Sequence, residues 1–377
     1  MRTLRCIMAL ALLLSCIGGV GVALAGEDIR VGYIPPTTGP SAAEGALQIK
    51  AIKIALKEIN ASGGVNGKKI DMRMVDNQST NPGALAALQR AVEQEQVLAL
   101  VGPVKSTQIL AMSDAVKNYA VPVMIGGTNA TLTRQGNPWL FRVRPDDSIA
   151  AAAMVKYVKE DTKFTKIGLL HDSDAFGSGG ADLVEKTAKE MGLTIARREK
   201  YTTATRDYTA QLLSLKNAGT EIMILYGTNP EDVAVIMRQY RQLGSPFKYI
   251  GSPSSGNKDA LNLAKENAVG LLTIVDFTPG TPEILKYAEA YKKEYNEEYD
   301  ATNAYTYDGM NILVNAIRKG GEDRGKIRDA ILATQGYKGV LGTFNFSPNG
   351  DGLSSVSVCE IDPSYKFKLV KVVNVGK

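Results

Sequence analysis

Histidine and cysteine are scarce in this sequence, and their scarcity excludes several kinds of site. The 377 residues include one His (His171), three Cys and one Trp. A single His excludes a His-rich metal site and argues against Ser-His-Asp catalysis. Three Cys are too few for a zinc ribbon. The net charge of +5 is not clustered, so the sequence lacks the basic footprint of a nucleic-acid-binding protein.

Long uncharged runs are absent after the N-terminus, and the one run that exists has the pattern of an export signal. Arg2 and Arg5 precede an apolar stretch over 7–22, and Ala-Leu-Ala at 23–25 forms a small-residue cleavage site. This pattern predicts a signal peptide over residues 1–25 and a mature chain that begins near Gly26. No later segment approaches the roughly 18 apolar residues of a membrane span, so we expect a soluble exported protein.

Two alternatives to this cleavage remain open. The segment could stay attached as a membrane anchor, or Leu-Leu-Ser-Cys could direct lipoprotein cleavage at Cys16, which would leave the apolar 17–24 on the mature protein. Loss of residues 1–25 also removes Cys6 and leaves Cys359 as the single thiol. No internal disulfide is then possible, and the hydrophobic core must hold the fold.

Short apolar strands alternate with amphipathic helical segments along the chain. In the second half, strands begin near 167, 194, 222 and 249, a spacing of roughly 27 residues that is typical of a β-α step. This pattern predicts an α/β protein of two doubly wound lobes, each a parallel sheet with helices on both faces. The predicted strands are 29–34, 70–75, 98–101, 121–125, 167–170, 194–198, 222–226, 249–250 and 271–275. The predicted helices include 83–94, 107–118, 180–191, 208–217, 231–243, 283–295 and 306–317.

The lobes are joined without a flexible linker. The segment 141–147 (Phe-Arg-Val-Arg-Pro-Asp-Asp) connects them and contains no Gly or Ser tether, so the lobes can hinge but cannot separate. Ligands of open parallel sheets bind beyond the carboxyl ends of the strands. We therefore expect the binding site in the cleft between the two lobes.

Sequence motifs of enzymes are absent or incomplete. There is no G-x-S-x-G motif, and 63–69 (GGVNGKK) lacks both the first Gly and the final Ser or Thr of a phosphate-binding loop. The segment that starts at Gly177 departs from a dinucleotide fingerprint at Asp182. His171 and Asp172 form a catalytic-looking pair, but no nucleophile accompanies them, so we interpret them as a polar strand end at the cleft rim.

The loops that follow the predicted strands are rich in hydroxyl groups and glycine. Ser106 lies at the start of a helix, where backbone N–H groups favour an anion, although it could equally serve as a plain N-cap. Ser106 and Thr128 follow strands of one lobe and could converge on one carboxylate. Donors of this kind bind a charged group without catalysing a reaction. The loops concerned are 37–41, 102–107, 126–129, 227–228 and 251–255.

At this point the sequence resembles the leucine-isoleucine-valine-binding family, the type I periplasmic solute-binding proteins of ABC importers. The resemblance extends from about residue 28 to the C-terminal region. It is carried by IRVGYIPPTTG at 29–39, EINASGGVNG at 58–67, Gly102-Pro-x-x-Ser106, 141–147, 171–179 and Tyr307-Asp308. The resemblance implies a Venus-flytrap fold with a three-strand hinge, in which 26–145 and 276–344 form the N-terminal lobe and 146–275 and 345–377 the C-terminal lobe.

The resemblance also implies a function and partners. We expect a periplasmic, monomeric, non-enzymatic protein without cofactor that delivers a small solute to the membrane permease of an ABC transporter. Ser106 and Thr128 occupy the positions that hold an amino-acid carboxylate, and a carbonyl near Gly126 matches the acceptor for the amine. Phe176 stands where an aromatic closes over the ligand, without the usual tyrosine hydroxyl; otherwise it is a core residue. The expected ligand-binding residues are Ser106, Thr128, Gly126, Gly127, Phe176, Glu44, Tyr226, Thr228 and Ser252.

One departure from the family pattern leaves the substrate open. Pro253 aligns with the second-lobe acid that would pair with a ligand ammonium, and a buried ammonium without an anion is costly. Either another acid replaces it, with Glu44, Asp276 and Asp172 as candidates, or the ligand carries no amine. Each of these acids could instead be an ordinary exposed surface group. The ligand is therefore a branched-chain or other aliphatic amino acid, a carboxylate without an amine, or an amide or urea-like solute. A sensory receptor and a small-amide hydrolase are the other functions considered.

Overall fold

The fold consists of two large sheets with helices packed against them. A computed structural model describes residues 27–301 and 303–375. The expected signal peptide, with Cys6 and Cys16, lies outside these residues. Within them, no helix is long and apolar enough to span a bilayer.

The first sheet has five parallel strands in the order β2-β1-β3-β4-β5. Helices connect the first four strands in sequence, as expected for β-α steps. The elements of this part are β1 (Ile29–Tyr33), α1 (Ala42–Ala61), β2 (Ile70–Met74), α2 (Asn81–Glu93), β3 (Ala99–Val101), α3 (Ser106–Tyr119), β4 (Val123–Ile125) and β5 (Leu140–Arg142).

The second sheet has seven strands in the order β14-β13-β10-β9-β8-β6-β7, and its last two strands in sequence are antiparallel additions to one edge. Its first elements are α4 (Asp147–Asp161), β6 (Lys166–Asp172), α5 (Ala175–Glu190), β7 (Thr194–Tyr201), α6 (Thr209–Asn217), β8 (Ile222–Tyr226), α7 (Pro230–Gln242), β9 (Lys248–Gly251), α8 (Lys258–Ala264) and β10 (Leu272–Val275). The remaining elements are α9 (Pro282–Tyr295), α10 (Tyr305–Gly320), α11 (Arg324–Leu332), β11 (Tyr337–Lys338), β12 (Thr343–Phe344), β13 (Ser355–Ile361) and β14 (Phe367–Asn374).

The chain passes between the two sheets three times. After β10 it returns to the first sheet, where α9, α10 and α11 share a hydrophobic core with β1, β3 and α1. It then crosses back to form β13. The peptide groups of Gly350 and Gly352 still pair with Arg142 of β5, so we propose that this last crossing lies near residue 353 rather than at the expected 344–345 boundary.

The predicted class, two α/β lobes with parallel sheets, is confirmed, and every predicted strand exists with small differences at its ends. The sequence analysis missed α4, α8, α11, β5, the β11–β12 hairpin and the antiparallel pair β13–β14. Helix α5 was predicted to begin at Gly180 but begins at Ala175. Its early glycines hid the first turn: a Cβ on Gly180 would lie 2.1 Å from the Tyr226 ring, so only glycine allows this approach.

Arg142, the last residue of β5, is fully buried and ties the first crossing to the third. Its Nε donates to Asp351 at 2.8 Å, and its Nη1 donates to the carbonyls of Gly127 and Asn129 at 2.8 and 2.9 Å. Nη2 donates to Thr133 at 2.9 Å. A buried guanidinium is tolerated only when its charge and N–H groups are satisfied in this way.

We expect Arg142→Met to lower the free energy of unfolding by about 3–5 kcal/mol, because it leaves Asp351 buried without its main partner. Urea unfolding followed by circular dichroism measures this change. Arg328→Met is the control: Arg328 pairs with Asp329, and the two side chains are 32% and 64% exposed. Exposed ion pairs contribute at most about 1 kcal/mol. Equal effects of the two substitutions would contradict the role assigned to burial.

Asp147 begins α4 directly after the first crossing and is fully buried. Its backbone N–H donates to the carbonyl of Thr128 at 2.8 Å, and the Thr128 hydroxyl lies near the carboxylate, although neither carboxylate oxygen makes a well-directed hydrogen bond. Burial raises the pKa of this carboxyl from 3.8 to about 7. The protonated form is therefore favoured in the folded protein over the range in which the unfolded chain has already lost the proton.

This pKa difference predicts that stability falls as pH rises from about 4 to 7. In that range the folded protein retains a proton that the unfolded chain releases, so each increase in pH favours unfolding. Asp147→Asn should remove this contribution, and its advantage over the parent should grow by about 2–4 kcal/mol between pH 4 and pH 8. Urea unfolding at several pH values measures the difference. Parallel stability curves for the two proteins would show that Asp147 does not titrate in this window.

Candidate ligand-binding cleft

One wall of the cleft is built from loops at the carboxyl ends of neighbouring strands in the first sheet. Glu44 follows β1, Ser106 follows β3, Thr128 follows β4 and Arg144 follows β5. Because β1, β3, β4 and β5 are consecutive in this parallel sheet, the loops after them emerge at the same edge. Residues far apart in the sequence therefore form one surface.

The second sheet supplies the opposite wall by the same rule. Asp174 and Phe176 follow β6, Thr228 follows β8, and Pro253 follows β9. Strands β9, β8 and β6 are also consecutive and parallel. The two walls enclose a cavity with about 650 Å³ of empty space, including its open mouth. It is lined by Glu44, Val104, Lys105, Ser106, Thr128, Arg144, Asp174, Phe176, Thr228, Pro230, Pro253, Ser254, Asn257, Asn303 and Tyr305.

Five of the nine residues expected to bind ligand line this cavity: Ser106, Thr128, Phe176, Glu44 and Thr228. Phe176 also packs against the core of the second lobe, with its ring 5.4 Å from that of Tyr226. Phe176 therefore lines the cavity, as expected of an aromatic that covers the ligand, and is also part of the core. The arrangement brings hydroxyl groups of the first lobe opposite an aromatic ring of the second.

Ser106 is the first residue of α3, and Thr128 lies beside it. Both are almost completely buried. The Ser106 hydroxyl oxygen accepts a hydrogen bond from the backbone N–H of Asn129 at 3.3 Å, so its own hydrogen remains available as a donor. The N–H groups at the start of α3 add a positive partial charge. This corner of the cavity can therefore hold an anionic oxygen.

Gly126 and Gly127 lie outside the cavity lining, and arginines already occupy their carbonyl groups. Arg144 donates to Gly126 at 3.1 Å, and Arg142 donates to Gly127 at 2.8 Å. Both glycines allow close packing instead: a Cβ on Gly126 would lie 2.5 Å from the Tyr305 ring, and one on Gly127 would lie 3.3 Å from the Ser106 hydroxyl.

Tyr226 and Ser252 lie one layer below the cavity lining. Both are fully buried. The Tyr226 hydroxyl is 3.5 Å from the carbonyl oxygen of Asp147. The Ser252 hydroxyl is 2.9 Å from the Ser254 hydroxyl. Their placement makes them supports of Phe176 and Ser254 rather than part of the surface that faces the cavity.

The alternative that Glu44, Asp276 and Asp172 are exposed surface acids is wrong, since all three are buried. Glu44 lines the cavity, with its carboxylate 3.0 Å from Lys105 Nζ. Asp276 pairs with Arg144 beneath the lining. Although burial opposes its charge, the carboxylate of Asp276 raises the pKa of Arg144. Each acid owes its burial to partners distant in the sequence.

Asp172 and His171 make structural contacts rather than the contacts of a catalytic pair. Asp172 accepts from the Thr203 hydroxyl at 2.8 and 2.9 Å. His171 Nδ1 lies 2.7 Å from the backbone oxygen of Asp172, and its Nε2 accepts from Arg198 at 3.1 Å, which fixes a neutral ring. Burial lowers the pKa of His171 in agreement with this arrangement. Neither side chain lines the cavity.

Asp174 is the functional candidate that the sequence analysis missed. Its Oδ1 accepts from the N–H of Gly177 at 2.8 Å and from the Thr228 hydroxyl at 2.9 Å, so it caps α5 and faces the cavity at once. Lys105 compensates Glu44, and Asp276 compensates Arg144, but within residues 27–301 and 303–375 no cation forms an ion pair with Asp174. Its position directly after β6 was the available signal.

Other cavity residues were also missed: Lys105, Arg144, Asn257, Asn303 and Tyr305. Lys105 lies in the loop 102–107 and Arg144 in the connecting segment 141–147, but neither side chain was predicted to bind ligand. Asn303 precedes α10 and Tyr305 begins it. This helix follows the second crossing, and nothing local in the sequence indicates that the chain returns there.

Known proteins resemble this chain in sequence and in fold. The model of a family described as periplasmic binding protein matches residues 28–365. The leucine-, isoleucine-, valine-, threonine- and alanine-binding protein of Pseudomonas aeruginosa is 26% identical, over 89% of this chain and 90% of its own. A leucine-binding protein from Thermotoga maritima has a TM-score of 0.84 and 27% identity, covering 92% of this chain and 99% of that one.

A Streptococcus pneumoniae branched-chain amino acid transporter substrate-binding protein, solved with isoleucine, has a TM-score of 0.85 and 25% identity. The match covers 92% of this chain and all (100%) of that one. These relatives confirm the resemblance drawn from the sequence motifs. The chain therefore belongs to the periplasmic binding protein family, which binds solutes and is not a family of enzymes.

Proposed function

We propose that this protein is an extracytoplasmic solute-binding protein of an ABC importer that captures a small amino acid in its cleft. The observation that carries this proposal is the placement of Ser106 and Thr128, on one lobe, opposite Phe176 and Thr228 on the other, in a single cavity. The relatives in sequence and fold include proteins named for binding leucine, isoleucine and valine. The signal peptide over 1–25 and periplasmic release belong to the same proposal.

The ligand carboxylate would bind at the start of α3. Ser106 supplies a hydroxyl hydrogen there, Thr128 supplies a second hydroxyl, and the helix end favours negative charge. Hydrogen bonds to an ionised carboxylate are about twice as strong as those between neutral groups. This corner therefore fixes the orientation of the ligand.

The ligand ammonium would pair with Asp174 on the second lobe. Asp174 is the one cavity carboxylate without an ion-pair partner among the described residues, and the Thr228 hydroxyl holds it in place. It would replace the acid that is lost at Pro253. Pro253 itself lines the cavity, and this observation favours the second candidate, a carboxylate ligand without an amine.

Closure of the lobes would follow from this division of contacts. A ligand that binds both walls interacts more strongly with the closed form than with the open form. Moving a hinge from mostly open to mostly closed takes roughly 5 kcal/mol of differential affinity. The carboxylate corner and Asp174, on opposite lobes, would provide it. The closed protein would then dock as a monomer on the permease.

Thermal unfolding of ligand-stripped protein tests the proposal. L-leucine and 4-methylpentanoate share one carbon skeleton, and only leucine has the amine. A ligand at a hundred times its dissociation constant stabilises by about 2.7 kcal/mol, which raises the unfolding temperature by several degrees. A higher unfolding temperature with leucine alone supports an amino-acid ligand. A higher unfolding temperature with 4-methylpentanoate alone supports the second candidate, a carboxylate without an amine. No rise with any small carboxylate would contradict both.

Ser106→Ala should weaken carboxylate binding about 10- to 100-fold, since it removes a hydrogen bond to a charged group. Isothermal titration calorimetry measures the affinity, and thermal unfolding without ligand checks the fold. Ser113→Ala is the matched control, because Ser113 lies on the same helix and its hydroxyl contacts Asn137 instead. Unchanged affinity in Ser106→Ala would remove this residue from the site.

Asp174→Asn should weaken L-leucine at least tenfold and should not weaken 4-methylpentanoate, because it removes a charge that pairs with the ammonium and that has no partner when the ligand lacks an amine. The amide oxygen of Asn can still accept from Gly177 and Thr228, so α5 keeps its cap. Calorimetric titration of both ligands gives the ratio of affinities. An equal loss for both would show that Asp174 supports the cavity without pairing with the amine.

A further inference from the structure

The first lobe carries a polar cluster that the proposed carboxylate and ammonium contacts leave unused. It consists of Glu44, Lys105 and Tyr305, all of which line the cavity. Glu44 comes from the first turn of α1, Lys105 precedes α3, and Tyr305 begins α10. We call these three residues the Glu44 cluster.

Glu44 has an unsatisfied oxygen at the cavity wall. The residue is 7% exposed, and its Oε2 has no hydrogen-bond partner within the protein. Lys105 Nζ lies 3.0 Å from Oε2, so the two charges attract without a well-directed hydrogen bond. Lys105 neutralises the charge, but Oε2 makes no directed hydrogen bond, so it can still accept one from a ligand.

Tyr305 presents a second unsatisfied group. Its side chain is 1% exposed, and its hydroxyl has no hydrogen-bond partner. Two contacts fix the ring. The Arg144 guanidinium lies 5.8 Å from the ring centroid. Gly126 packs so closely against the ring that a Cβ at this position would clash with it. The hydroxyl is thus held in place and can donate or accept one hydrogen bond.

The charges of the Glu44 cluster decide which ligand group it fits. Lys105 compensates Glu44, so an added cation would be repelled by Lys105 and an added anion by Glu44. A neutral group that both donates and accepts fits this cluster, because it can donate to Glu44 Oε2 and accept from Lys105 or Tyr305. A primary amide has this combination.

We propose that the Glu44 cluster is a specificity site for a neutral carboxamide at the far end of the ligand. This inference rests on the proposed function, since the carboxylate corner and Asp174 must hold the other end. An aliphatic side chain in the closed cleft would leave Glu44 Oε2 and the Tyr305 hydroxyl without partners. Such unpaired groups discriminate strongly against a ligand that lacks the matching polar group.

Titration calorimetry with three amino acids tests the inference on the full mature protein after removal of endogenous ligand. L-asparagine and L-leucine have side chains with the same branching and number of heavy atoms, and L-glutamine adds one methylene. We expect one of the two amides to bind at least tenfold more tightly than leucine. Tyr305→Phe should reduce that preference about three- to tenfold. Tyr291→Phe is the control, because its hydroxyl is also buried and unpartnered but lies away from the cavity.

A second variant protects the test against a folding defect in Tyr305→Phe. The pair Glu44→Leu with Lys105→Met removes both charges together and should reverse the preference in favour of leucine. Leucine binding that depends on Ser106 but equals or exceeds amide binding would overturn this inference and leave the proposed function intact. A preference for amides that neither variant reduces would also overturn it. Absence of binding for all three amino acids would overturn both.

Discussion

The structure depends on one constraint of parallel β-sheets: every loop after a strand emerges at the same edge. Strands β1, β3, β4 and β5 place Glu44, Ser106, Thr128 and Arg144 side by side although about a hundred residues separate the first from the last. The second sheet repeats the arrangement with β9, β8 and β6. Two such edges that face each other make a cleft whose walls belong to different lobes. The affinity for a ligand that contacts both walls therefore depends on the distance between the lobes.

The two arginines of the first crossing hold the three crossings together. Arg142 pairs with Asp351 beside the third crossing, and Arg144 pairs with Asp276 at the second. Both arginines also donate to carbonyl groups of the loop that carries Thr128. The connections between the lobes and the carboxylate corner thus share one hydrogen-bonded network. A motion of the hinge cannot leave the site unaffected, because the same side chains support both.

The fold could be predicted from the sequence because the patterns that indicate strands, helices and loops each lie within a short stretch of residues. The spacing of strands and the hydroxyl-rich loops, Ser106 and Thr128 among them, is visible within short windows. The acids could not be placed in this way. Asp276 is buried because of Arg144, which is 132 residues away, and in isolation it has the composition of a surface group. Asp174 was hidden for a different reason, since capping a helix already accounts for an aspartate at that position. The antiparallel edge β13–β14 breaks the β-α rhythm on which the prediction of strands relied.

Charge balance gives the proposed ligand a direct role in closure. The pairs Lys105–Glu44 and Arg144–Asp276 are each neutral, so the cleft retains two uncompensated ends: the start of α3 on the first lobe and Asp174 on the second. A zwitterion laid across the cleft neutralises both, and it reaches both only when the lobes are together. A carboxylate without an amine would instead bring Asp174 into a closed, drier cavity without a partner, and the desolvation of that charge would oppose closure. Asp174 would thus make closure selective for an ammonium, although the family resemblance implies an acid at the position of Pro253.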